Sequence, residues 1–260
     1  MDREVTVVTG GGQGVGRAVV ERLLDDDHSV VVVELRDEGL EWLDGAIGDG
    51  RAWVIVGDAG DDAVAARAAE TAATLGALTG WVNNAAVFRD AWLHEVGGAG
   101  AAELVLRNLQ PCLAGSAAAV AAFRASGVAG SIVNVSSHQA QRPVRGALPY
   151  ATAKAAVEGL TRALAVDYGP WGIRVNALAL GSIVTDRLRS LEAADGVESA
   201  KVARAMRDLH PLGRAGAAAE VADAVAFLLS QRASFISGAV VPVDGARAVQ
   251  GPDPEAAEPE

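Results

Sequence analysis

The sequence predicts an α/β fold, a single domain with a doubly wound parallel β-sheet flanked by helices. Three observations carry this prediction: a length of 260 residues, short continuous apolar runs rich in β-branched residues, and Ala-rich helical segments between most of those runs. A chain of this length can bury the core of one large domain. Continuous rather than alternating apolar runs indicate strands buried on both faces, as in a parallel sheet covered by crossover helices.

The first unit of this pattern is a strand, a helix and a second strand. Residues 5–9 form a β-branched run that ends in glycines, residues 17–24 have helical spacing, and residues 30–33 return to a continuous apolar run. Similar runs follow at residues 52–56, 78–82, 131–135, 173–178 and 239–243. Strands alternating with helices in this way predict a Rossmann-like sheet.

One domain is predicted over residues 1–250, and residues 251–260 stand apart. That tail is rich in Pro, Ala and Glu and has no large apolar side chain, so it is predicted to be an acidic, disordered segment. Within the domain, residues 182–211 carry apolar side chains at mostly helical intervals. Such spacing is typical of an amphipathic lid over a binding site.

The charge and the cysteine content narrow the classes of partner. A formal net charge of −11 argues against nucleic acid and anionic membranes, which need a basic surface, and favours a small molecule. Cys112 is the single cysteine, so no intrachain disulfide is possible, and no Cys/His cluster has metal-ligand spacing. Because no signal peptide or membrane-spanning run is visible, the predicted compartment is the cytoplasm.

A glycine-rich turn at residues 9–16 follows the first strand and opens the first helix. Glycines let the backbone approach a pyrophosphate, whose charge is stabilised by free amides and by the dipole at a helix N-terminus. The position of the turn between strand and helix predicts a dinucleotide site. The predicted cofactor contacts in this turn are Gly10, Gln13, Gly14, Val15 and Gly16.

An acidic residue closes the second strand. Glu34 follows the glycine turn by about 20 residues, close to the place where a carboxylate accepts hydrogen bonds from an adenosine ribose. Its charge should repel a 2′-phosphate, and neither Gln13 nor Leu35 beside the site supplies a compensating cation. The sequence therefore favours NAD over NADP, although Arg36 would reverse this preference if its side chain turned toward the site.

Tyr150 and Lys154 stand four residues apart in the segment YATAK, which on a helix places them on one face. An ammonium beside a phenol stabilises the phenolate. Lys154 is therefore predicted to lower the pKa of Tyr150 from about 10 toward working pH, as a general acid/base requires.

These residues resemble the motifs of the short-chain dehydrogenase/reductase family, and the resemblance extends over nearly the whole chain. Thr9-Gly10 with Gly14 and Gly16 matches the family's TGxxxGxG turn, and the segment NNAA at residues 83–86 is similar to its NNAG stretch. The resemblance implies an enzyme that moves a hydride between a nicotinamide cofactor and a substrate. It also implies further cofactor contacts at Asp58, Ala59, Asn84, Ala85, Tyr150 and Lys154.

The resemblance also implies the remaining catalytic residues. Ser137 precedes Tyr150 at the family's spacing and matches the serine that hydrogen-bonds the reacting oxygen of the substrate, whereas Ser136 fits that spacing less well. Asn108 matches the asparagine that holds a water between the lysine and solvent. His138 could contact substrate or be a polar loop residue without a function. The implied catalytic set is Asn108, Ser137, Tyr150 and Lys154, with no metal.

The segment after residue 179 resembles the family's loop over the nicotinamide. The resemblance implies that the Ile183 backbone and the Thr185 hydroxyl hold the carboxamide and the pyrophosphate. The family usually has Pro-Gly where this chain has Leu180-Gly181. Without the proline, a restraint on the backbone is lost, so the rigidity of the loop is in question.

The predicted reaction is the NAD(H)-dependent interconversion of a secondary alcohol and a ketone, and the apolar lid favours an apolar substrate. One alternative is NADPH-dependent reduction of a 3-ketoacyl thioester. That alternative is left open by five basic residues of the lid, Arg187, Arg189, Lys201, Arg204 and Arg207. A second alternative is a non-catalytic nucleotide-binding regulatory or scaffold protein, which would have no use for Ser137 or for the Tyr150–Lys154 pair.

Small residues lie on several faces of the helical segments at residues 115–125 and 151–166. Small side chains let a helix pack closely against another copy. By resemblance, these are the helices through which members of the family assemble, so a homotetramer is predicted.

Overall fold

Seven parallel strands form one sheet in the computed structural model, which describes residues 3–184 and 197–251. The strands are β1 (Glu4–Thr9), β2 (Ser29–Glu34), β3 (Ala52–Val56), β4 (Ala77–Asn83), β5 (Ser131–Ser137), β6 (Arg174–Leu180) and β7 (Val240–Val243). Their order across the sheet is β3-β2-β1-β4-β5-β6-β7. The predicted doubly wound, Rossmann-like sheet is confirmed, and each predicted strand coincides with an observed one to within two residues at either end.

Helices connect the strands as crossovers. They are α1 (Gly14–Asp25), α2 (Asp44–Gly48), α3 (Asp62–Leu75), α4 (Leu93–Ser126), α5 (Leu148–Tyr168), α6 (Val197–Leu209) and α7 (Ala218–Leu229). Of the predicted lid at residues 182–211, α6 is the helical part within the described residues. The predicted tail lies outside the described residues except for Gly251. No helix within residues 3–184 or 197–251 is long and apolar enough to cross a bilayer.

Both faces of the sheet are buried, which explains the continuous apolar runs. Successive valines of β2 alternate between the two faces: Val31 and Val33 belong to the core cluster that includes α3 and α4. Val30 and Val32 belong to the opposite cluster, with α1 and α7. Side chains alternate between the two faces of a strand. A strand covered on both faces therefore has no solvent-facing positions that would favour polar residues.

The strand order reverses direction at β1, which has β2 on one side and β4 on the other. Thr9, at the carboxyl end of β1, pairs with Val33 of β2 and with Asn83 of β4. In an open parallel sheet, a crevice forms where the chain departs in opposite directions from neighbouring strands. Ligands bind in that crevice, so the topology places a site at the carboxyl ends of β1 and β4.

A directional chain of hydrogen bonds crosses the centre of the sheet. The indole Nε1 of Trp81 donates to Oδ1 of Asn83 at 2.9 Å, and Nδ2 of Asn83 donates to Oδ1 of Asn134 at 2.8 Å. Nδ2 of Asn134 then donates to Oγ1 of Thr161 at 2.9 Å, and that hydroxyl donates to the Val157 carbonyl at 2.8 Å. These bonds join β4 and β5 to α5, the helix that carries Tyr150 and Lys154.

Candidate active site

A cavity of about 1580 Å³ opens at the carboxyl ends of the strands. Its walls come from the glycine turn after β1, the ends of β2, β4, β5 and β6, and the start of α5. The volume exceeds the 300–1,000 Å³ typical of a drug-sized pocket, so a dinucleotide and a small substrate can occupy it together. The predicted cofactor contacts before Thr185 line it with the exception of Gly14, and so do Ser137, Tyr150 and Lys154. Thr185 lies outside the described residues.

The glycine turn packs tightly against the strand beside it. Gly10 and Gly14 have positive φ angles of 64° and 54°, which L side chains rarely adopt. A Cβ at Gly16 would overlap the carbonyl oxygen of Gly10 and would lie 2.6 Å from Nδ2 of Asn84. The turn therefore needs glycine at these positions to bring α1 close to the sheet.

The N-terminus of α1 is free to receive an anion. Gln13 occupies the N-cap position and makes no side-chain hydrogen bond to the helix. The N–H groups of the first turn are therefore not used by a capping side chain. A Cβ added at Gly14 would meet no atom within 4 Å, so the backbone there faces open space. Free amides beside open space fit a pyrophosphate, and Val15 adds a partly buried apolar wall.

Glu34 is held against the glycine turn at the end of β2. Its Oε1 accepts a hydrogen bond from the amide of Gly12 at 2.7 Å, and its Oε2 accepts one from the amide of Leu35 at 3.2 Å. Glu34 and Leu35 both line the cavity. Arg36 is exposed and does not line the cavity.

The remaining cofactor contacts that the sequence implied lie on the loops after β3 and β4. Asp58 accepts a hydrogen bond from the amide of Gly60 at 2.8 Å, which shapes the turn in which Ala59 is buried. Asn84 donates from Nδ2 to the Gly10 carbonyl at 2.8 Å, and the amide of Ala85 donates to the Thr9 hydroxyl at 3.1 Å. These bonds fasten the loop after β4 to the glycine turn.

Tyr150 stands at the start of α5 and meets the end of β5. It is half-buried, its ring packs edge-on against Phe88 with the centroids 5.2 Å apart, and the nearby Ser137 hydroxyl acts to lower the pKa of its phenol. Ser137 also accepts from the amide of Gln139 at 3.2 Å. The hydroxyl of Ser136 instead reaches the Lys154 carbonyl and Glu158, each at 3.3 Å. Of the two serines, Ser137 is the one that the structure places with the tyrosine.

Lys154 is fully buried one turn after Tyr150. Its Nζ donates to the Val135 carbonyl at 2.7 Å and lies 5.5 Å from the centroid of the Tyr150 ring. Burial lowers the pKa of Lys154 below its ordinary value, because removal from water disfavours the charged form. The side chain is thus fixed between β5 and the tyrosine ring.

The expected lowering of the Tyr150 pKa by Lys154 is not what this structure shows. Burial raises the pKa of Tyr150 above its ordinary value, and the nearby Ser137 hydroxyl lowers it only in part. The reason is geometric, since the ammonium lies over the face of the ring and spends a donor on the Val135 carbonyl. The sequence shows that the two residues share a helix face but not where the ammonium points.

Asn108 is buried on α4, and its side chain is bonded to backbone. Oδ1 accepts from the amide of Val87 at 2.9 Å, and Nδ2 donates to the Leu104 carbonyl at 3.2 Å. It borders a small cavity of about 20 Å³ together with Pro149 and Tyr150. The structure therefore brings Asn108 near the tyrosine, although the side chain itself holds the loop after β4.

The loop after β6 is anchored despite the missing proline. Leu180 is the last residue of β6, where it pairs with Ser137 on one side and with Val243 on the other. Beyond it, Ile183 forms a β-bridge with Gly216 and lines the cavity. Strand pairing on both sides of Leu180 and the bridge at Ile183 restrain the backbone as far as residue 184, in place of the missing proline.

Two polar residues of the cavity wall have little or no signal in the sequence. His138 is buried, and its Nδ1 lies 3.1 Å from the Leu180 carbonyl. Burial lowers the pKa of His138, and the charge of Arg247 lowers it further. The position of His138 directly after Ser137 was its only signal. Arg247 follows the last strand, where no pattern in the sequence predicted a residue of the site.

The site combines a phenol beside a serine hydroxyl, a buried ammonium beside the phenol ring and a cradle that fits a dinucleotide. A phenol in this position can exchange a proton with an alcohol oxygen, which is one way to assist hydride transfer to or from a nicotinamide. Within residues 3–184 and 197–251, no group of three or more His, Cys, Asp or Glu side chains is placed to hold a metal ion.

Comparison with known proteins agrees with this geometry. A short-chain dehydrogenase family model described as enoyl-(acyl carrier protein) reductase matches residues 10–246. Levodione reductase from Leifsonia aquatica is 36% identical over 93% of this chain and 92% of its own. Cis-4-hydroxycyclohexanecarboxylate dehydrogenase from Sinomonas cyclohexanicum is 38% identical over 93% of this chain and 95% of its own.

The crystal structure of a levodione reductase superposes with a TM-score of 0.84 at 33% identity, covering 95% of this chain and 98% of that one. The sequence motifs, the strand order and these relatives agree. The chain belongs to the short-chain dehydrogenase/reductase family of oxidoreductases.

Proposed function

We propose that this oxidoreductase, which acts on CH–OH groups, uses NAD(H) to interconvert a cyclic secondary alcohol and its ketone. The observation that carries the proposal is the convergence of Ser137, Tyr150 and Lys154 on one wall of the cavity that also contains Glu34 and the glycine turn. A binding protein would need the cradle alone. A serine hydroxyl and a tyrosine beside a buried ammonium are the groups that proton transfer at a substrate oxygen would use.

The residues divide the work of such a reaction. A bound nicotinamide cofactor supplies or accepts the hydride. Ser137 hydrogen-bonds the substrate oxygen, and the Tyr150 oxygen takes the hydroxyl proton in oxidation or returns it in reduction. Lys154 binds the ribose beside the nicotinamide and adds positive charge near the phenolate. Asn108 holds the loop after β4, and the small cavity beside it gives the proton a route toward solvent.

Substrate preference follows from the far end of the cavity. The side chains there that do not ionise are mostly apolar: Phe88, Val144, Met206 and Leu209 all line it. Such a wall fits a compact hydrocarbon body, and one relative is named for cis-4-hydroxycyclohexanecarboxylate. A screen of NAD-linked oxidation with cyclohexanol, linear secondary alcohols and sugars tests this, with cyclohexanol expected to give the highest kcat/KM of the three groups. A clear preference for sugars would contradict it.

NAD is proposed over NADP because Glu34 is held against the glycine turn, where the ribose would lie, while Arg36 is exposed and does not line the cavity. A 2′-phosphate placed near that carboxylate would meet a like charge without compensation.

The 3-ketoacyl thioester alternative requires NADPH and a basic pocket mouth. Arg204 and Arg207 are exposed on α6. Arg204 lies 3.7 Å from Asp208, so the negative charge of Asp208 partly offsets the positive charge of Arg204.

Replacing Glu34 with Ala is expected to narrow the preference for NADH over NADPH roughly tenfold, because about 1.4 kcal/mol of like-charge repulsion would be removed. Direct fluorescence titration with both cofactors measures the ratio. Glu34→Gln is the matched control: its amide oxygen can still accept from Gly12, so it isolates charge from the loss of that bond. A wild type that binds NADPH more tightly would refute the assignment.

Assembly and compartment remain proposals. Large apolar side chains are exposed on α4 and α5, among them Leu106, Leu113, Leu148 and Val166. Exposed apolar surface on two neighbouring helices is suited to an interface between copies. We propose a homotetramer, which a monomeric sedimentation coefficient at micromolar concentration would contradict. We also propose the cytoplasm as the compartment.

A further inference from the structure

Arg247 places a positive charge in the substrate end of the cavity. It follows β7, is half-buried and lines the cavity together with Met206 and Leu209. Its guanidinium donates to the hydroxyl of Ser182, just after β6. It therefore lies at the carboxyl ends of β6 and β7, in the half of the strand order away from β1 and β2, which carry the glycine turn and Glu34.

The charge of Arg247 is only indirectly balanced. Burial lowers the pKa of its guanidinium, and the charge of Asp244 acts in the opposite direction. Both carboxylate oxygens of Asp244 are used by backbone, accepting from the amide of Ala246 at 3.0 Å and from that of Ala248 at 2.8 Å. A guanidinium carries five N–H donors, and the one hydrogen bond described above goes to a neutral hydroxyl.

The charge also reaches the catalytic end of the cavity. His138 follows Ser137 directly, and the charge of Arg247 lowers the pKa of its imidazole in addition to the effect of burial. Nδ1 of His138 faces the Leu180 carbonyl, so the ring serves as a neutral wall there. A ligand group bound at Arg247 would lie on the same side of the site as the reacting oxygen.

We propose that Arg247 binds a carboxylate of the substrate, so that the enzyme acts on a hydroxy acid or keto acid whose body is compact and apolar. This inference rests on the proposed alcohol–ketone reaction. A carboxylate fits because the guanidinium fork matches its two oxygens and its single charge. The apolar side chains of the same cavity, among them Met206 and Leu209, would cover the rest of the molecule.

The kinetic test compares an acid with its neutral ester. The probes are 2-, 3- and 4-hydroxycyclohexanecarboxylate and their methyl esters, each oxidised with NAD. In the wild type, kcat/KM for at least one acid should exceed that of its ester about tenfold or more. Arg247→Gln should lower this acid-to-ester ratio about 10- to 100-fold, the range for losing a charge-assisted hydrogen bond. Arg247→Lys should restore part of it.

A binding test does not depend on turnover. Cyclohexanecarboxylate and its neutral isostere cyclohexanecarboxamide are titrated calorimetrically into NADH-saturated protein. The carboxylate should bind more tightly to wild type, and the difference should disappear in Arg247→Gln. Arg232→Gln is the matched control, because Arg232 is exposed, lies outside the cavity lining and loses the same charge. It should leave both the difference and the kinetic ratio unchanged.

The outcomes separate the two proposals. If the cyclic alcohols are oxidised but Arg247→Gln leaves the acid-to-ester ratio unchanged, the carboxylate site is refuted and the alcohol–ketone function stands. If no alcohol is oxidised but the carboxylate binds in an Arg247-dependent way, the site stands and the function fails. If Arg247→Gln weakens NADH binding as much as carboxylate binding, Arg247 belongs to the cofactor site and the inference is overturned.

Discussion

Tyr150→Phe is expected to lower turnover roughly 10²-fold or more while NADH binding persists. The substitution removes one hydroxyl, so the ring can still pack against Phe88, and Lys154 keeps its bond to the Val135 carbonyl. What disappears is the phenol oxygen that is proposed to carry the proton. Steady-state rates with an identified alcohol, together with a fluorescence titration of NADH, measure the two effects separately.

Tyr168→Phe is the control, because this second tyrosine packs against the core at the other end of α5 and should leave turnover unchanged. Equal rates for Tyr150→Phe and wild type would contradict the acid/base role. Because burial raises the pKa of Tyr150, the phenol form predominates at neutral pH in the cofactor-free protein. Oxidation needs the phenolate, so its rate should rise with pH, whereas reduction should stay level and fall only as the phenol ionises.

Gly16→Ala is expected to damage both stability and cofactor binding. The added Cβ would overlap the Gly10 carbonyl oxygen and crowd Nδ2 of Asn84, so α1 would have to move away from the turn. Overpacking of this kind costs about 1–3 kcal/mol or more. In a chain of this size, that lowers the melting temperature by roughly 2–12 °C. NADH affinity should fall at least about tenfold, because the helix N-terminus would no longer meet the pyrophosphate.

Gly45→Ala provides the comparison for this experiment. Gly45 is exposed on α2, and a Cβ there would meet no atom within 4 Å, so the melting temperature and NADH affinity should stay close to wild type. Calorimetry and titration of both variants in parallel measure the difference. If Gly16→Ala has the same melting temperature as Gly45→Ala and binds NADH as tightly as wild type, the close approach of the turn to α1 is not required for stability or cofactor binding.

The fold could be predicted from the sequence because burial of the strands is recorded in their composition. A parallel sheet covered on both faces leaves no polar alternation, so a run such as residues 30–33 identifies a strand without its partners. The glycine turn and Glu34 were found by similar logic, since the turn must be free of side chains and the acid must close the next strand.

The electrostatics of the site could not be predicted in the same way. Whether Lys154 lies beside the Tyr150 oxygen or over its ring depends on β5, whose Val135 carbonyl attracts the ammonium. Arg247 was missed for a related reason. It reaches the cavity only because β7 pairs with β6 and brings the segment after it to the same edge, and that pairing spans residues 177–180 and 240–243. Contacts at such separation leave no local pattern.

The chain of hydrogen bonds across the sheet makes the effect of a substitution at one of its residues depend on the others. An indole can only donate and a carbonyl can only accept, so the direction from Trp81 to Val157 is fixed and each amide in between has one usable orientation. A change at Asn83 therefore alters what is tolerated at Asn134 and then at Thr161. Substitutions along this line should show strong epistasis, and exchange with a homologue should succeed only when the positions are transferred together.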